Sequence, residues 1–198
     1  MKRFIVLGLV LLSLVFISCD DSSTNTPAQN DSYFPLAVGN SWTYTFDESQ
    51  ETFSLEIVST VRYFEDVLYQ FGSDGEAFDM FPRWRWDNDT LYSHFERVSP
   101  FLAQNMKKGD SIVRSTQGDR WVYTTVVLVE ETDTELTVNG HKFSDVARIK
   151  VTDTEVEGDS VTVRINHNYY AKGVGLIKGS DLLWGEIEMS LLDYHIED

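Results

Sequence analysis

One cysteine, Cys19, serves the whole 198-residue chain, so no disulfide can form within it and the fold must be held by packing. Basic residues are scarce as well, with 16 lysines and arginines against 32 aspartates and glutamates and a formal charge of −16. An excess of that sign disfavours nucleic acid as a partner, and it equally disfavours electrostatic adhesion to anionic lipid. It reads as a solvated acidic surface sooner than as a cation-binding device. Catalytic signatures are missing too. There is no Gly-x-Ser-x-Gly elbow, and His94, His141, His167 and His195 are dispersed, with none at metalloprotease or zinc-finger spacing. Asp87-Asn88-Asp89 and the stretch Asp153, Glu155, Glu157, Asp159 lack the spaced acids, central glycine and closing glutamate of a calcium loop. The chain therefore reads as non-catalytic, and neither a cofactor nor a metal is expected. A dispersed carboxylate pair of the glycosidase kind is the remaining enzymatic alternative, with no pair singled out among so many acids.

Long apolar runs are also lacking, apart from one. Phe4 to Ile17 follows Lys2 and Arg3 and ends at Ser18-Cys19, giving the basic, apolar and small-residue parts of a secretory signal. Its fourteen residues are short of the roughly twenty that a spanning helix needs. The stretch Val15-Phe16-Ile17-Ser18-Cys19 resembles the lipobox of bacterial lipoproteins, in which the cysteine is lipid-modified and becomes the new N-terminus. That resemblance implies lipidation of Cys19, and it accounts for an unpaired thiol in an exported chain. By that implication a lipidated Cys19 would hold the domain on a membrane, since acyl chains add about 0.8 kcal/mol per buried methylene. Without residues 1–19 the chain keeps 14 basic and 32 acidic residues, a formal charge of −18.

Asp20 to Asp31 is polar and without apolar periodicity, which reads as a flexible tether. Acids directly after the cysteine resemble both the inner-membrane retention signal of enteric bacteria and the surface-export signal of Bacteroidetes lipoproteins. These point to different destinations within the cell envelope, of which the outer membrane or cell surface is the expectation. Residues 32–198 then make one domain, long enough for a sizeable core.

From Trp42 onward the apolar positions repeat with a period of two: Trp42, Tyr44, Phe46; Phe53, Leu55, Ile57; Ala147, Ile149, Val151; Val161, Val163, Ile165. This is the mark of half-buried strands with those residues inward. Asn139-Gly140, Glu157-Gly158-Asp159, Gly72-Ser73-Asp74-Gly75 and Asp87-Asn88-Asp89 supply reversals between antiparallel neighbours. Trp121 to Val129 is apolar on both faces, which predicts a central strand covered on each side. Near Leu191 the apolar phase slips from Ile187, Met189, Leu191 to Leu192, Tyr194, Ile196, which predicts a bulge. The one helix candidate, about Pro100 to Lys108, has no supporting periodicity. The expectation is an all-β domain, a single antiparallel meander of roughly ten strands curled into a barrel or half-barrel, with a two-sheet β-sandwich as the alternative.

Two segments, Phe34-Pro35-Leu36-Ala37-Val38-Gly39-Asn40-Ser41-Trp42-Thr43-Tyr44 and Tyr169-Tyr170-Ala171-Lys172-Gly173-Val174-Gly175-Leu176-Ile177-Lys178, resemble those of a broad group of bacterial envelope lipoproteins of unknown function. The resemblance implies a curled antiparallel sheet like that of lipoprotein carriers, and it carries no catalytic residues. Read for themselves, Pro35 fixes an extended entry, Gly39-Asn40 can turn, and Gly173 and Gly175 allow a bend before the next strand.

The densest aromatic region, Phe78, Phe81, Trp84, Trp86, Tyr92, Phe95 and Phe101 with Arg83 and Arg85 interleaved, is the candidate ligand site. Trp84 and Trp86 share one strand face and could stack a sugar or hold an acyl chain. The plainer reading makes these tryptophans core and pairs the arginines with acids outside. Together these features point to a lipid-anchored binding module for an apolar ligand or a glycan. The alternative is a structural or assembly lipoprotein that recruits an envelope protein.

Overall fold

The structure, a computed structural model, describes residues 32–77, 83–94, 98–180 and 188–197. Residues 1–31, which hold the expected signal, Cys19 and the expected tether, lie outside them. Thirteen strands follow in order: β1 Ser41–Phe46, β2 Thr52–Tyr63, β3 Asp66–Ser73, β4 Glu76–Ala77, β5 Arg83–Asp87, β6 Thr90–His94, β7 Val98–Ala103, β8 Ser111–Gln117, β9 Trp121–Val138, β10 His141–Glu157, β11 Ser160–Ala171, β12 Gly175–Ser180 and β13 Glu188–His195. They form one antiparallel sheet in the order β7-β6-β5-β3-β2-β1-β13-β12-β11-β10-β9-β8, with β4 hydrogen-bonded to β3. The last strand pairs with the first, so the meander curls into a nearly closed, barrel-shaped sheet whose free edges are β7 and β8.

Barrel, rather than sandwich, is thus the architecture. The strands exceed the expected ten partly because Val98–Ala103, which overlaps the start of the weak helix candidate, is strand β7. Between the free edges, the Gln104 amide donates to Asp89 O (2.7 Å), the Gly109 amide donates to Val129 O (2.8 Å), and Met106 is buried. This short segment spans the gap.

Turn chemistry falls where the sequence puts it. Asn139 and Gly140 both have positive φ, 47° and 86°, as a two-residue type I′ hairpin requires. The predicted bulge is at Leu192: Thr43 pairs with Asp193 and Tyr44 with Leu191, leaving Leu192 unopposed and exposed. An extra residue there brings Tyr194 opposite the inward-facing Trp42, on the inner side of the sheet, which explains the phase slip.

The interior is closed by the chain's own entry segment. Tyr33, Phe34 and Leu36 are all buried, and the Phe34 ring lies 5.4 Å from Trp84, 6.1 Å from Phe71 and 6.3 Å from Trp42. Gly173 N donates to Ser32 O at 2.8 Å, Trp42 Nε1 donates to Val174 O, and the Tyr44 hydroxyl donates to Leu176 O at 3.0 Å. The two familiar-looking segments are therefore in direct contact, the first forming a plug and the second the wall that receives it.

Asn40 sits at the centre of this closure, fully buried. Its Nδ2 donates to Pro35 O (3.1 Å), its Oδ1 accepts from Glu197 N (2.9 Å), and its own carbonyl accepts from Ile57 N (2.8 Å). Asn40→Ala strands the buried Pro35 carbonyl and removes the acceptor of the part-buried Glu197 amide. Its expected cost is about 2–3 kcal/mol, since a buried group left unsatisfied costs about 1–3. Urea midpoints measure it; a loss below about 0.5 kcal/mol would show that these bonds are replaceable by solvent.

Two sequence expectations are corrected. β9 is not covered on its second face: Val126 and Leu128 point outward and are only half-buried, because the sheet is a single layer there. On β11 the alternation is real but its phase is reversed. Val161, Val163 and Ile165 face outward at 64%, 55% and 52% exposure, while Arg164 and Asn166 share the inner face with Asn168 and Tyr170. The register with β10 runs unbroken from Ala171 to Ser160, so no bulge rescues the apolar phase.

Candidate functional site

Trp84 and Trp86 do share the barrel's inner face, opposite Ser93 and Leu91 on β6. Trp84 is buried against Phe34, and Trp86 Nε1 donates to Phe34 O at 3.1 Å, so the plug occupies the apolar wall they form. Tyr92 is on the other side of the sheet. It pairs with Arg85, whose guanidinium lies 5.2 Å over its ring and makes ion pairs with Asp66 (3.4 Å) and Asp87 (3.3 Å). Phe78, Phe81 and Phe95 lie outside the described residues. The three described candidates thus do not share one surface: the tryptophans are lining under the plug, and Tyr92 belongs to an outer ion-pair cluster.

Past the plug, the inner face continues along β8, β9, β10 and β11 and changes character row by row. Val129, Ile149 and Asn168 lie level with one another in the core. The next row is Ile112, Val127, Val151 and Asn166. Beyond it Arg114, Thr125, Asp153 and Arg164 stand directly opposite one another on four successive strands. Further out come Thr116, Tyr123, Glu155 and Thr162, and then Trp121 beside Glu157.

The Arg114 to Arg164 row is a connected polar assembly. Thr125, nearly inaccessible, donates its hydroxyl to Asp153 Oδ1 at 2.6 Å. Tyr123 also hydrogen-bonds to the Asp153 carboxylate; burial first, and then that carboxylate, raise its pKa, while Thr125 and Arg164 oppose the shift. Burial lowers the pKa of Arg114, with the charge of Asp153 holding it up. Two guanidiniums flank one carboxylate, so the row carries a positive surplus in a strongly acidic chain.

Two rows further out, roughly 13 Å along β9 from Thr125 at ~3.3 Å per residue, Trp121 is 40% exposed. Its place is set by the β8–β9 turn, where Gly118 N donates to Trp121 O (2.9 Å) and the indole lies on the glycine itself: a Cβ at Gly118 would stand 2.5 Å from the ring. An aromatic ring at one end of the face and fork-shaped donors with a carboxylate two rows inward suit an extended ligand that stacks a ring at one end and presents hydroxyl or carboxyl groups at the other. Sequence reading missed this site because its members are separated by up to fifty residues and meet only through strand register. The one local signal is the polar phase of β11, Thr162, Arg164 and Asn166, which alternates with Val161, Val163 and Ile165.

The histidines remain dispersed: His167 lies 3.4 Å from Glu130, and His195 lies 3.2 Å from Glu197 at the far end of β13. Among the described residues no three of His, Cys, Asp and Glu converge as metal ligands.

No protein-family model matches the chain, and no curated protein matches it. Two solved structures are similar in fold. One is a candidate lipoprotein from Parabacteroides distasonis ATCC 8503, with TM-score 0.46 and 11% identity over 83% of this chain and 98% of that one. The other is a candidate exported protein with YmcC-like fold from Bacteroides fragilis NCTC 9343, with TM-score 0.48 and 10% identity over 83% of this chain and 99% of that one.

Proposed function

We propose that this protein is a lipid-anchored, non-catalytic binding module of the bacterial cell envelope, held to a membrane through Cys19, and that its ligand is a glycan. The observation that carries the ligand class is the aligned inner-face row Arg114, Thr125, Asp153 and Arg164, with Tyr123 in the next row and the partly exposed Trp121 one row further out. An apolar ligand is the weaker choice, because Phe34 already packs on the wall formed by Trp84. The membrane part of the reading rests on the N-terminal signal and its lipobox-like end.

The test is binding of the intact chain to a panel of neutral and uronic-acid oligosaccharides, read by titration calorimetry. Trp121→Ala and Arg164→Ala are expected to weaken binding at least tenfold each, because a lost aromatic platform or charged donor is worth roughly 1.5–3 kcal/mol. Tyr92→Ala, on the outer face, is expected to leave affinity unchanged. Binding that ignores Trp121 and Arg164, or no binding across the panel, defeats the glycan reading.

A further inference from the structure

We infer that the outer face of the β8–β11 arm is a self-association surface, on which a second copy of this chain packs face to face about a two-fold axis. This inference concerns the side of the sheet opposite the proposed ligand row and stands independently of it.

Three observations lead there. The first is the reversed phase of β11. Val161, Val163 and Ile165 are all more than half exposed, and across the sheet Val113 is 63% exposed while Val126 and Val156 are half-buried. Register places these side chains on one face of four hydrogen-bonded strands, with threonines and serines between them and no charged side chain from the Lys150–His167 row to the turns at the tip. A contiguous, uncharged, β-branched surface is unusual in a chain of such high acidity and marks an interaction face.

The second is charge. The arm's tip carries Asp159 in the β10–β11 turn and Asp119 against Arg120 in the β8–β9 turn, while Glu157, the last residue of β10, is on the inner side. Its base, on the outer face, carries Lys150, with Arg148 and His167 gathered around Glu130 at 3.1 and 3.4 Å, which leaves Lys150 as the cation facing outward. An isologous contact requires that one patch complement itself. A two-fold axis through the Thr154–Val163 pair does this. Lys150 lies four residues to one side of that row and the turn about as far to the other, roughly 13 Å each way at ~3.3 Å per residue. Each acidic tip then faces the other copy's basic base, while the apolar fields coincide at the centre.

The third is size. Four strands at ~4.8 Å spacing and about ten residues of length give a face of roughly 600 Å² per copy, or roughly 1,200 Å² in total, the lower end of specific interfaces. Membrane attachment raises the effective concentration and favours such a modest contact. Residues 20–31 can reach about 40 Å when extended, so both anchors can enter one bilayer with the paired arms lying along it. Lipid is the poorer occupant of this face, because the acidic tip is repelled by anionic headgroups.

Cysteine cross-linking in the full-length chain in its native envelope tests this, with the wild type as the control for Cys19. Val163→Cys, on the axis, is expected to give a disulfide-linked species of twice the chain's mass. Thr162→Cys, the next residue but on the inner face, should give at least tenfold less. Asp159→Lys added to Val163→Cys should lower the cross-linked yield at least fivefold, and Lys150→Glu added to that chain should restore it. A chain that stays at monomer mass overturns the inference, as does a Val163→Cys adduct with a different protein, which would make that protein the occupant. Yield insensitive to the charge exchange overturns the antiparallel register.

Discussion

Phe34→Ala is expected to lower the stability of the domain by about 3–5 kcal/mol, the range seen when a buried phenylalanine is removed from a core that cannot collapse around the gap. Collapse is hindered here because the ring is surrounded by large side chains of different strands: Trp42 from β1, Phe71 from β3, Trp84 from β5 and Tyr170 from β11. Those strands are hydrogen-bonded to their own neighbours and cannot move inward independently. The loss is a large share of the roughly 5–15 kcal/mol that holds an ordinary domain together. Guanidinium midpoints measure it, with Tyr92→Ala on the outer face as the comparison, expected to cost under about 1 kcal/mol. A Phe34→Ala midpoint indistinguishable from that of Tyr92→Ala would mean that the entry segment is not part of the core. Phe34→Leu, which keeps most of the apolar volume, should recover about half of the loss.

The same contact ties any anchor to the fold. Residue 32 is joined to the wall of the barrel through Gly173 N and Ser32 O, and the next residues run into its interior. Pull on the preceding chain is therefore taken up by the plug and the β11–β12 turn together, not by an exposed terminal strand that could peel.

What the sequence reveals here depends on how local the governing physics is. Hairpins at Asn139-Gly140 and the bulge at Leu192 are legible because a few adjacent residues decide them. The period of two reveals that β11 has two faces but carries no label for which is inside. That choice is made by Asn168 and Tyr170, which follow Arg164 and Asn166 on the same side, and by a register with β10 that never slips. Tyr33 and Phe34 read as the approach to a first strand, and nothing nearby signals that they turn into the lumen. The candidate site depends on register over a longer range still: Arg114 and Arg164 enter one row only through the lengths of the three hairpins between β8 and β11. The inverted strand thus has two outcomes, polar groups brought to the inner mouth and an apolar field left outside. Both proposals rest on that single phase.

Above about pH 10 the domain is expected to lose stability steeply, because several of its nine tyrosines are held neutral by burial. Burial is the main cause of the raised pKa of Tyr44 and of Tyr170, and Tyr33 is pushed up to about 12 by burial and then by the carboxylates of Asp133 and Asp145. In the unfolded chain each of these phenols returns to about 10. A group whose folded pKa is raised contributes stability that is fully present below its unfolded pKa and is lost as the pH climbs to the folded one. The window therefore opens near pH 10, extends to about 12 for Tyr33, and continues higher for the two fully buried rings. Each group removes about 1.4 kcal/mol per pH unit within its window, so Tyr44 and Tyr170 alone offset about 5 kcal/mol within roughly two units. Phenolate absorbance and near-ultraviolet circular dichroism, followed together, provide the check. The buried tyrosines should ionise late and in step with loss of the tertiary signal, while exposed ones titrate near pH 10 with the fold intact. Tyr44→Phe should make the decline shallower while lowering stability at neutral pH, since the bond to Leu176 O is lost with the hydroxyl. If all the tyrosines ionise near pH 10 while the tertiary signal persists, then the interior is open to water and the plugged barrel is wrong.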